Sequence, residues 1–270
     1  MEFLKKLFAV LDTQMQRPPL YGWFHILFLV LTVVATVVLC LLYKKGVIKN
    51  VRRVVLVTSL IVIALEIYKL LMFGISYENE LKYEFVWRVF PWQFCSTPMF
   101  IGLIAGLTKG KFHNWMCSFL ATYAIFAGTV VMLYPSTVFE GTIGINIQTM
   151  ICHGSMITLG VFLYYTDHVE AKPKTFVKAL PTFATCLTIA VVLNEVFYKM
   201  GKNANLFYIS RHLPGDLPIF KDIQAKVPFA VSLVLYLVVF SLVAFLILLI
   251  AMGIKAISRA IKNAKAKKTA

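Results

Sequence analysis

The stretch VPFAVSLVLYLVVFSLVAFLILLIAMG, residues 227–253, contains no charged residue and decides the fold class. A helix needs about 20 apolar residues to cross the hydrocarbon core of a bilayer, so this stretch predicts a transmembrane helix. The stretch FHILFLVLTVVATVVLCLLY, residues 24–43, gives the same prediction near the other end of the chain.

The composition of the whole chain also favours a membrane protein. Of its 270 residues, 60% are hydrophobic and only 14% are charged, whereas a soluble domain is about half apolar and about a quarter charged. A soluble enzyme, a coiled coil, a disordered chain and a disulfide scaffold are therefore all disfavoured. The five cysteines form no CxxC pair, which argues against a zinc site and against a disulfide framework.

We predict an all-α, polytopic membrane helical bundle of about seven transmembrane helices. The predicted spans are 22–43, 54–75, 89–108, 114–134, 145–165, 176–197 and 227–253. Residues 1–20 are expected to form an interfacial segment, 21–253 a single transmembrane domain, and 254–270 a basic cytoplasmic tail. The third and fifth spans carry polar residues and are expected to face other helices rather than lipid.

The formal net charge of +15 would suggest nucleic acid in a soluble protein, but here it follows the topology. The loops and tail on one side of the seven spans carry 16 Lys and Arg residues, and those on the other side carry 10. The positive-inside rule then places the N-terminus outside and the C-terminus in the cytoplasm of a multi-pass cell-membrane protein. The tail is expected to bind anionic inner-leaflet lipid and not nucleic acid.

Polar side chains inside a membrane span are costly, and four of those in the predicted spans are candidates for function. They are Glu66, Cys95, His153 and Asn194. At a rise of about 1.5 Å per residue, Cys95 lies roughly 9 Å and His153 roughly 12 Å below the outer ends of their spans. All four lie in the outer part of the bilayer, and this common depth suggests one polar site.

A cysteine and a histidine at one depth suggest nucleophilic catalysis. The thiolate is the reactive form of cysteine, and a nearby imidazole can accept its proton. Such a pair could attack an ester carbonyl of a lipid, form an acyl-cysteine and pass the acyl group to an acceptor. Glu66 or Asn194 could orient the imidazole, as the third member of a catalytic triad does.

Each candidate also has a purely structural interpretation. A cysteine in a helix is usually a small hydrophobic residue. Glu66 can pair with Lys69, three residues later on the same helix, and Asn194 can hold helices together.

A glycine pattern follows Cys95 along the third span. Cys95, Gly102 and Gly106 share one helix face, so the cysteine is expected to point into the bundle. Gly102, Gly106 and Gly110 are spaced as a ridge of small residues that allows close helix packing.

The remaining histidines are weaker candidates. His25 could join the polar site or lie at the interface, and a metal site from His25, His153 and Glu66 would have no spacing signature. Neither a metal nor another cofactor is therefore expected. Three histidines fall in loops and are expected to be solvated: His113, His168 and His212.

The run FPWQFCS, residues 90–96, resembles the conserved Pro-x-x-x-Cys segment of the YwaF-like bacterial integral membrane proteins. These proteins are related to the eukaryotic transmembrane protein 164 acyltransferases. The resemblance covers roughly residues 20–250 and has further matching positions: Glu66, Tyr134-Pro135, His153, and Asn194 followed by Asn205-Leu206-Phe207.

The resemblance implies an integral membrane lipid acyltransferase, or a lipid hydrolase, acting on phospholipids or lysophospholipids. Cys95 would be the acyl-accepting nucleophile and His153 its base. Many members carry Leu-His before the cysteine, where this chain has Gln93 and Phe94. Any role of that extra imidazole is therefore lost or assumed by Gln93.

Two other classes of function stay open. Buried Glu66, His153 and Asn194 could line the path of a small transporter or channel, although such a path also needs polar residues in the inner half. A non-catalytic accessory membrane protein is the third hypothesis, and it predicts that replacing Cys95 with alanine is silent.

Overall fold

The computed structural model describes residues 2–77, 80–213, 215, 217 and 220–269. Within these ranges the chain forms ten α-helices and one two-stranded antiparallel sheet. The helices are α1 (Glu2–Leu11), α2 (Trp23–Lys44), α3 (Val51–Gly74), α4 (Thr97–Leu107), α5 (Gly110–Phe119), α6 (Ile125–Leu133), α7 (Ile143–Tyr165), α8 (Pro173–Lys199), α9 (Phe220–Gln224) and α10 (Phe229–Thr269). The strands are β1 (Ile75–Ser76) and β2 (Lys82–Tyr83).

Six helical stretches in the described part of the chain are long and apolar enough to cross a membrane. They are α2, α3, the continuous stretch Gly110–Leu133, α7, α8 and α10. The stretch Gly110–Leu133 joins α5 to α6 through a π-helical turn at Leu120–Ala124. The predicted fold class, an all-α polytopic bundle, is confirmed.

The third predicted span, 89–108, is not a continuous helix. Its helical part, α4, has 11 residues and rises only about 16 Å, roughly half of the hydrocarbon core of about 30 Å. Before it come a 3-10 turn at Trp87–Val89 and then a stretch that is not helical until Thr97. The bundle therefore has six full-length helical stretches and one half-length helix in place of a seventh.

The two ends of the described chain lie at opposite ends of α7. Next to α1, the amide of Met15 donates to the carbonyl of Gly141 at 2.7 Å, and the amide of Ile143 donates to Thr13 at 3.0 Å. At the other end, Lys255 in α10 forms an ion pair with Asp167, just after α7, at 2.7 Å. With its ends on opposite sides, the chain must cross the bundle an odd number of times. The seventh crossing is made by α4 together with residues 90–96, which we call the irregular segment.

The polar spans are the buried ones, as expected for the fifth. In the most apolar window of α7, 67% of the residues are buried, against none in α2 and 17% in α10. Gly154 and Gly128 allow neighbours to approach α7: a Cβ at Gly154 would lie 2.5 Å from Thr32 Oγ1, and one at Gly128 would lie 2.6 Å from the carbonyl oxygen of His153. The helix that carries His153 is therefore, with the stretch Gly110–Leu133, one of the two most buried crossings.

The predicted glycine ridge packs α4 against α3 at two of its three positions. A Cβ at Gly102 would lie 2.1 Å from Ser59 Oγ, and one at Gly106 would lie 2.6 Å from Leu56 Cβ. Gly110 has open space around it and a φ of +71°, so its role is the turn into α5 and not helix packing. The expectation for Gly110 is therefore corrected.

Candidate functional site

The irregular segment, residues 90–96, lies between helices and not against lipid. The indole Nε1 of Trp92 donates to the carbonyl of Cys186, in the middle of α8, at 3.2 Å. The ring of Phe94 packs against Phe183 and Phe240 with centroids 5.6 and 5.1 Å apart. Non-helical backbone at membrane depth is tolerated only where protein buries it or where it lines a cavity, so this break in the helix marks a place to look for function.

Two side-chain amides attach the loop at 205–207 to this segment. Gln93 donates from Nε2 to the carbonyl of Asn205 at 3.0 Å and accepts at Oε1 from the amide of Phe207 at 2.8 Å. Asn194 donates from Nδ2 to the carbonyl of Leu206 at 3.0 Å and accepts at Oδ1 from its amide at 2.8 Å. Each side-chain amide takes the place of a backbone hydrogen-bond partner for the loop, so Gln93 and Asn194 position the loop. The amide of Asn194 is therefore used by the loop and is not directed at the imidazole of His153.

The attached loop is held in an unfavourable conformation. Phe207 and Tyr208 have φ angles of +57° and +56°, in the left-handed region that side chains other than glycine rarely adopt. Such residues cost of order 1–3 kcal/mol each and persist only when their surroundings fix them. Strain of this kind is common at ligand sites, and here it lies directly beside the irregular segment.

Cys95 lies near the end of the irregular segment, immediately before Ser96, the N-cap residue of α4. It is half-buried. It interacts electrostatically with Lys69 and Glu66 of α3 and with Cys152 of α7. Because α4 begins two residues after Cys95, the positive end of its helix dipole lies next to this residue in the chain.

Glu66 has the structural partner that the sequence offered as an alternative. Its Oε1 lies 2.5 Å from Lys69 Nζ, and the two side chains are only 7% and 19% exposed. Its Oε2 accepts from Gln148 Nε2 at 3.2 Å, and the same amide nitrogen lies 3.4 Å from Cys152 Sγ. The carboxylate therefore belongs to a buried network that links α3 to α7.

His153 is oriented by its own helix. Its Nδ1 lies 2.6 Å from the carbonyl oxygen of Thr149, so this nitrogen is the donor. Its Nε2 is buried and has no hydrogen-bond partner in the described part of the chain. In the neutral ring, Nε2 thus carries an unused lone pair inside the protein. A general base needs this tautomer.

Glu66, Cys95 and His153 all interact with Lys69, but within the described residues they do not form a hydrogen-bonded triad. Within the described residues no hydrogen bond joins Cys95 Sγ to His153, and the imidazole is held by Thr149 in place of Glu66 or Asn194.

Sequence reasoning missed Gln148 and Cys152 as members of this region. They lie four residues apart on α7 and so share one face, and a glutamine in an apolar span was the available signal. Cys152 also lines an internal cavity of about 20 Å³ with Ser59, Met99 and Ser155, a volume sufficient for about one water molecule.

His25 lies outside the polar region. Its Nε2 bonds to the carbonyl of Met132 at 2.7 Å, and its Nδ1 accepts from the amide of Tyr21 at 3.0 Å. Both nitrogens are used, so His25 offers no lone pair for a metal with His153 and Glu66.

The three histidines expected to be solvated are not alike. His113 is buried, with 6% of its surface exposed, and its Nε2 lies 2.6 Å from His168 Nε2. Partial burial lowers the pKa of His168, and the neighbouring His113 lowers it further. His212 stacks on Tyr198 and bonds to Glu195. The expectation of solvation is therefore wrong for His113.

The chain matches the model of a known protein family. The model of the TMEM164 family matches residues 20–252, which is most of the chain. No curated protein and no solved structure that was searched matches the chain. The matched region contains α2 to α8, the irregular segment and most of the membrane part of α10, and on this basis the chain belongs to the TMEM164 family.

Proposed function

We propose that this protein is an integral membrane lipid acyltransferase in which Cys95 is the nucleophile and His153 the general base. The observation that carries the proposal is the unused lone pair of His153 Nε2, buried in the same region as a half-buried cysteine at the start of a half-length helix. Family membership and the depth of the break in the third crossing support the same assignment.

The chemistry would run through an acyl-cysteine. His153 Nε2 takes the proton from Cys95 Sγ, and the sulfur forms a bond to the acyl carbon of a lipid ester while the ester C–O bond breaks. The imidazolium returns its proton to the departing lysolipid oxygen. An acceptor hydroxyl then attacks the thioester, His153 takes its proton, and the cysteine thiolate leaves and is reprotonated. Water as acceptor gives hydrolysis instead.

Lys69 would act as a positioning residue in this scheme. Its ammonium interacts electrostatically with both Cys95 and His153, and a nearby cation would stabilise the thiolate as it forms. Glu66 and Gln148 hold the lysine side chain in place from α3 and α7.

The inner half of the bundle favours an enzyme over a transporter or channel. A conducting path needs free polar groups at that depth, but two buried hydroxyls there bond to carbonyls of their own helices. Ser59 donates to Val55 at 2.9 Å, and Thr122 donates to Ser118 at 2.7 Å. Hydroxyls bonded in this way are not positioned to solvate a moving ion.

The proposal is tested by lipid mass spectrometry of membranes from cells that express wild type, Cys95→Ala, His153→Ala or a vector control. We expect the wild-type change in phospholipid and lysophospholipid profiles to be lost in both variants. General-base assistance accelerates a reaction by about 10²–10⁴-fold, so turnover by His153→Ala should be lower than that of wild type by a factor in this range. A hydroxylamine-sensitive acyl group on Cys95 is the covalent readout.

Cys40→Ala is the matched control, because Cys40 is a half-buried cysteine on α2 and takes no part in the scheme. Its lipid profile should equal that of wild type. Wild-type membranes that match the vector control, or an active Cys95→Ala variant, would instead favour the accessory-protein hypothesis.

We further propose that anionic phospholipid of the inner leaflet binds the basic end of the chain in the cell membrane. A groove of about 560 Å³ lies between the ends of α2 and α7 and the side of α10. Three lysines line it together with apolar side chains of α10: Lys44, Lys255 and Lys262. Tyr164 also lines this groove, and its buried hydroxyl has no hydrogen-bond partner in the described part of the chain. We call this feature the lysine groove.

A further inference from the structure

Two histidines and a cysteine meet at the end of the bundle opposite to Cys95. His113 and Cys117 lie four residues apart on α5 and therefore share one face of that helix. His168 comes from the loop between α7 and α8. The ligand atoms of the three residues all lie within 4.8 Å of one another.

The ring of His113 is fixed in the tautomer that binds a metal. Its Nδ1 lies 2.7 Å from the carbonyl oxygen of Ala105, so Nδ1 carries the proton and donates it. This leaves a lone pair on Nε2, on the side of His168. A metal-binding histidine almost always donates its other N–H to a backbone carbonyl or a carboxylate, which is the arrangement of His113.

The spacing of the three atoms suits a small tetrahedral site. Zinc binds nitrogen at about 2.0–2.1 Å and sulfur at about 2.3 Å, so tetrahedral ligands lie roughly 3.6 Å apart for N···S and roughly 3.3 Å for N···N. Cys117 Sγ lies 3.5 Å from His113 Nε2, close to that value. The two histidine nitrogens are 2.6 Å apart, and the exposed ring of His168 has room to move outward.

We propose that His113 Nε2, His168 Nε2 and Cys117 Sγ bind one Zn²⁺ ion. Binding would release the Cys117 thiol proton to solvent, and a water molecule would occupy the fourth position. Because His168 is exposed, the ion has access from the aqueous phase. The ion would join the start of α5 to the α7–α8 loop, and the site is separate from the proposed acyl-transfer site.

The first test is the metal content of the full-length protein, purified in detergent without a histidine tag, loaded with Zn²⁺ and desalted. We expect about one zinc per chain in wild type, and at least about a tenfold lower affinity in Cys117→Ser and His168→Ala. His212→Ala is the matched control, because His212 also lies in a loop and is not part of this cluster; it should retain the metal.

A second measurement guards against variants that fail to fold. Wild type loaded with Co²⁺ should show a thiolate-to-metal charge-transfer band that is lost in Cys117→Ser, and a chelator should lower the melting temperature of wild type but not of His168→Ala. Metal content that is equal in all variants, a wild type that loads no zinc, or loading by copper alone would each overturn the proposal.

Discussion

Glu66 and Lys69 form the buried ion pair of the candidate site. The contribution of this pair to the stability of the protein can be measured separately from its role in the chemistry. Lys69→Met leaves the carboxylate without its cation, and breaking a buried pair in this way costs about 3–5 kcal/mol. Glu66→Gln combined with Lys69→Met removes both charges and should recover most of that loss. Thermal unfolding of the three proteins in one detergent measures the difference.

The double variant also tests the positioning role of Lys69. If the ammonium favours the thiolate, the folded double variant should form less acyl-Cys95 at the same pH than folded Glu66→Gln, which keeps Lys69 and likewise lacks the carboxylate. A double variant that melts no higher than Lys69→Met would show that the ion pair does not explain the loss of stability.

At the level of single residues the sequence selects candidates, and their functional role stays a prediction. The cost of polar groups in lipid was enough to select Glu66, Cys95, His153 and Asn194 from the sequence. The partners of Gln93 and Asn194 could not be predicted, because both side chains bond to a loop that is distant in sequence from Gln93 and strained at Phe207. His113 was misjudged because its partner, His168, is 55 residues away.

At the scale of elements, the contact between α4 and α3 depends on the absence of a side chain at Gly106. An added Cβ would lie 2.8 Å from Leu56 Cα, which cannot move without shifting α3. We expect Gly106→Ala to destabilise the protein by about 1–3 kcal/mol. Gly102→Ala should cost less, since its nearest contact is the movable hydroxyl of Ser59.

Gly253→Ala is the control for this pair, because nothing lies within 4 Å of its Cβ position in α10. Alanine favours a helix over glycine, so this variant should melt at or slightly above the wild-type temperature. Equal melting temperatures for Gly106→Ala and Gly253→Ala would contradict the close packing of α4 on α3.

The third predicted span shows why mean hydropathy does not predict where a single helix begins. Residues 89–96 are rich in aromatic side chains, so an apolar window counts them as part of a span. Pro98 lies in the first turn of α4, where proline is tolerated because an N–H at that position has no partner within the helix. The backbone of the irregular segment is then satisfied by distant groups, which no local pattern reports.

At the scale of the whole molecule, the lysine groove predicts selective binding of anionic lipid. Native mass spectrometry of the detergent-solubilised protein should show more bound phosphatidylglycerol than phosphatidylcholine. The preference should fall in a combined Lys44→Ala and Lys262→Ala variant, and Lys174→Ala, outside the groove, should keep it. Equal adducts of both lipids on wild type would rule the groove out as an anionic-lipid site.

The overall architecture was the most predictable level, because bilayer thickness and backbone hydrogen bonding leave few alternatives to long apolar helices. Six of the seven predicted spans correspond to full-length helical stretches. The assignment of the cytoplasmic side stays a prediction from the 16-to-10 charge bias of the loops, and a reporter fused to the C-terminus tests it.

The length of α10 gives the C-terminal end a mechanical property. The helix has 41 residues, and the part from 254 to 269 alone would extend about 24 Å past the predicted span. A protein attached through a flexible tail takes many positions, whereas a continuous helix keeps its distance from the membrane constant. We therefore expect a protein fused to this end to be held at a fixed distance from the bundle.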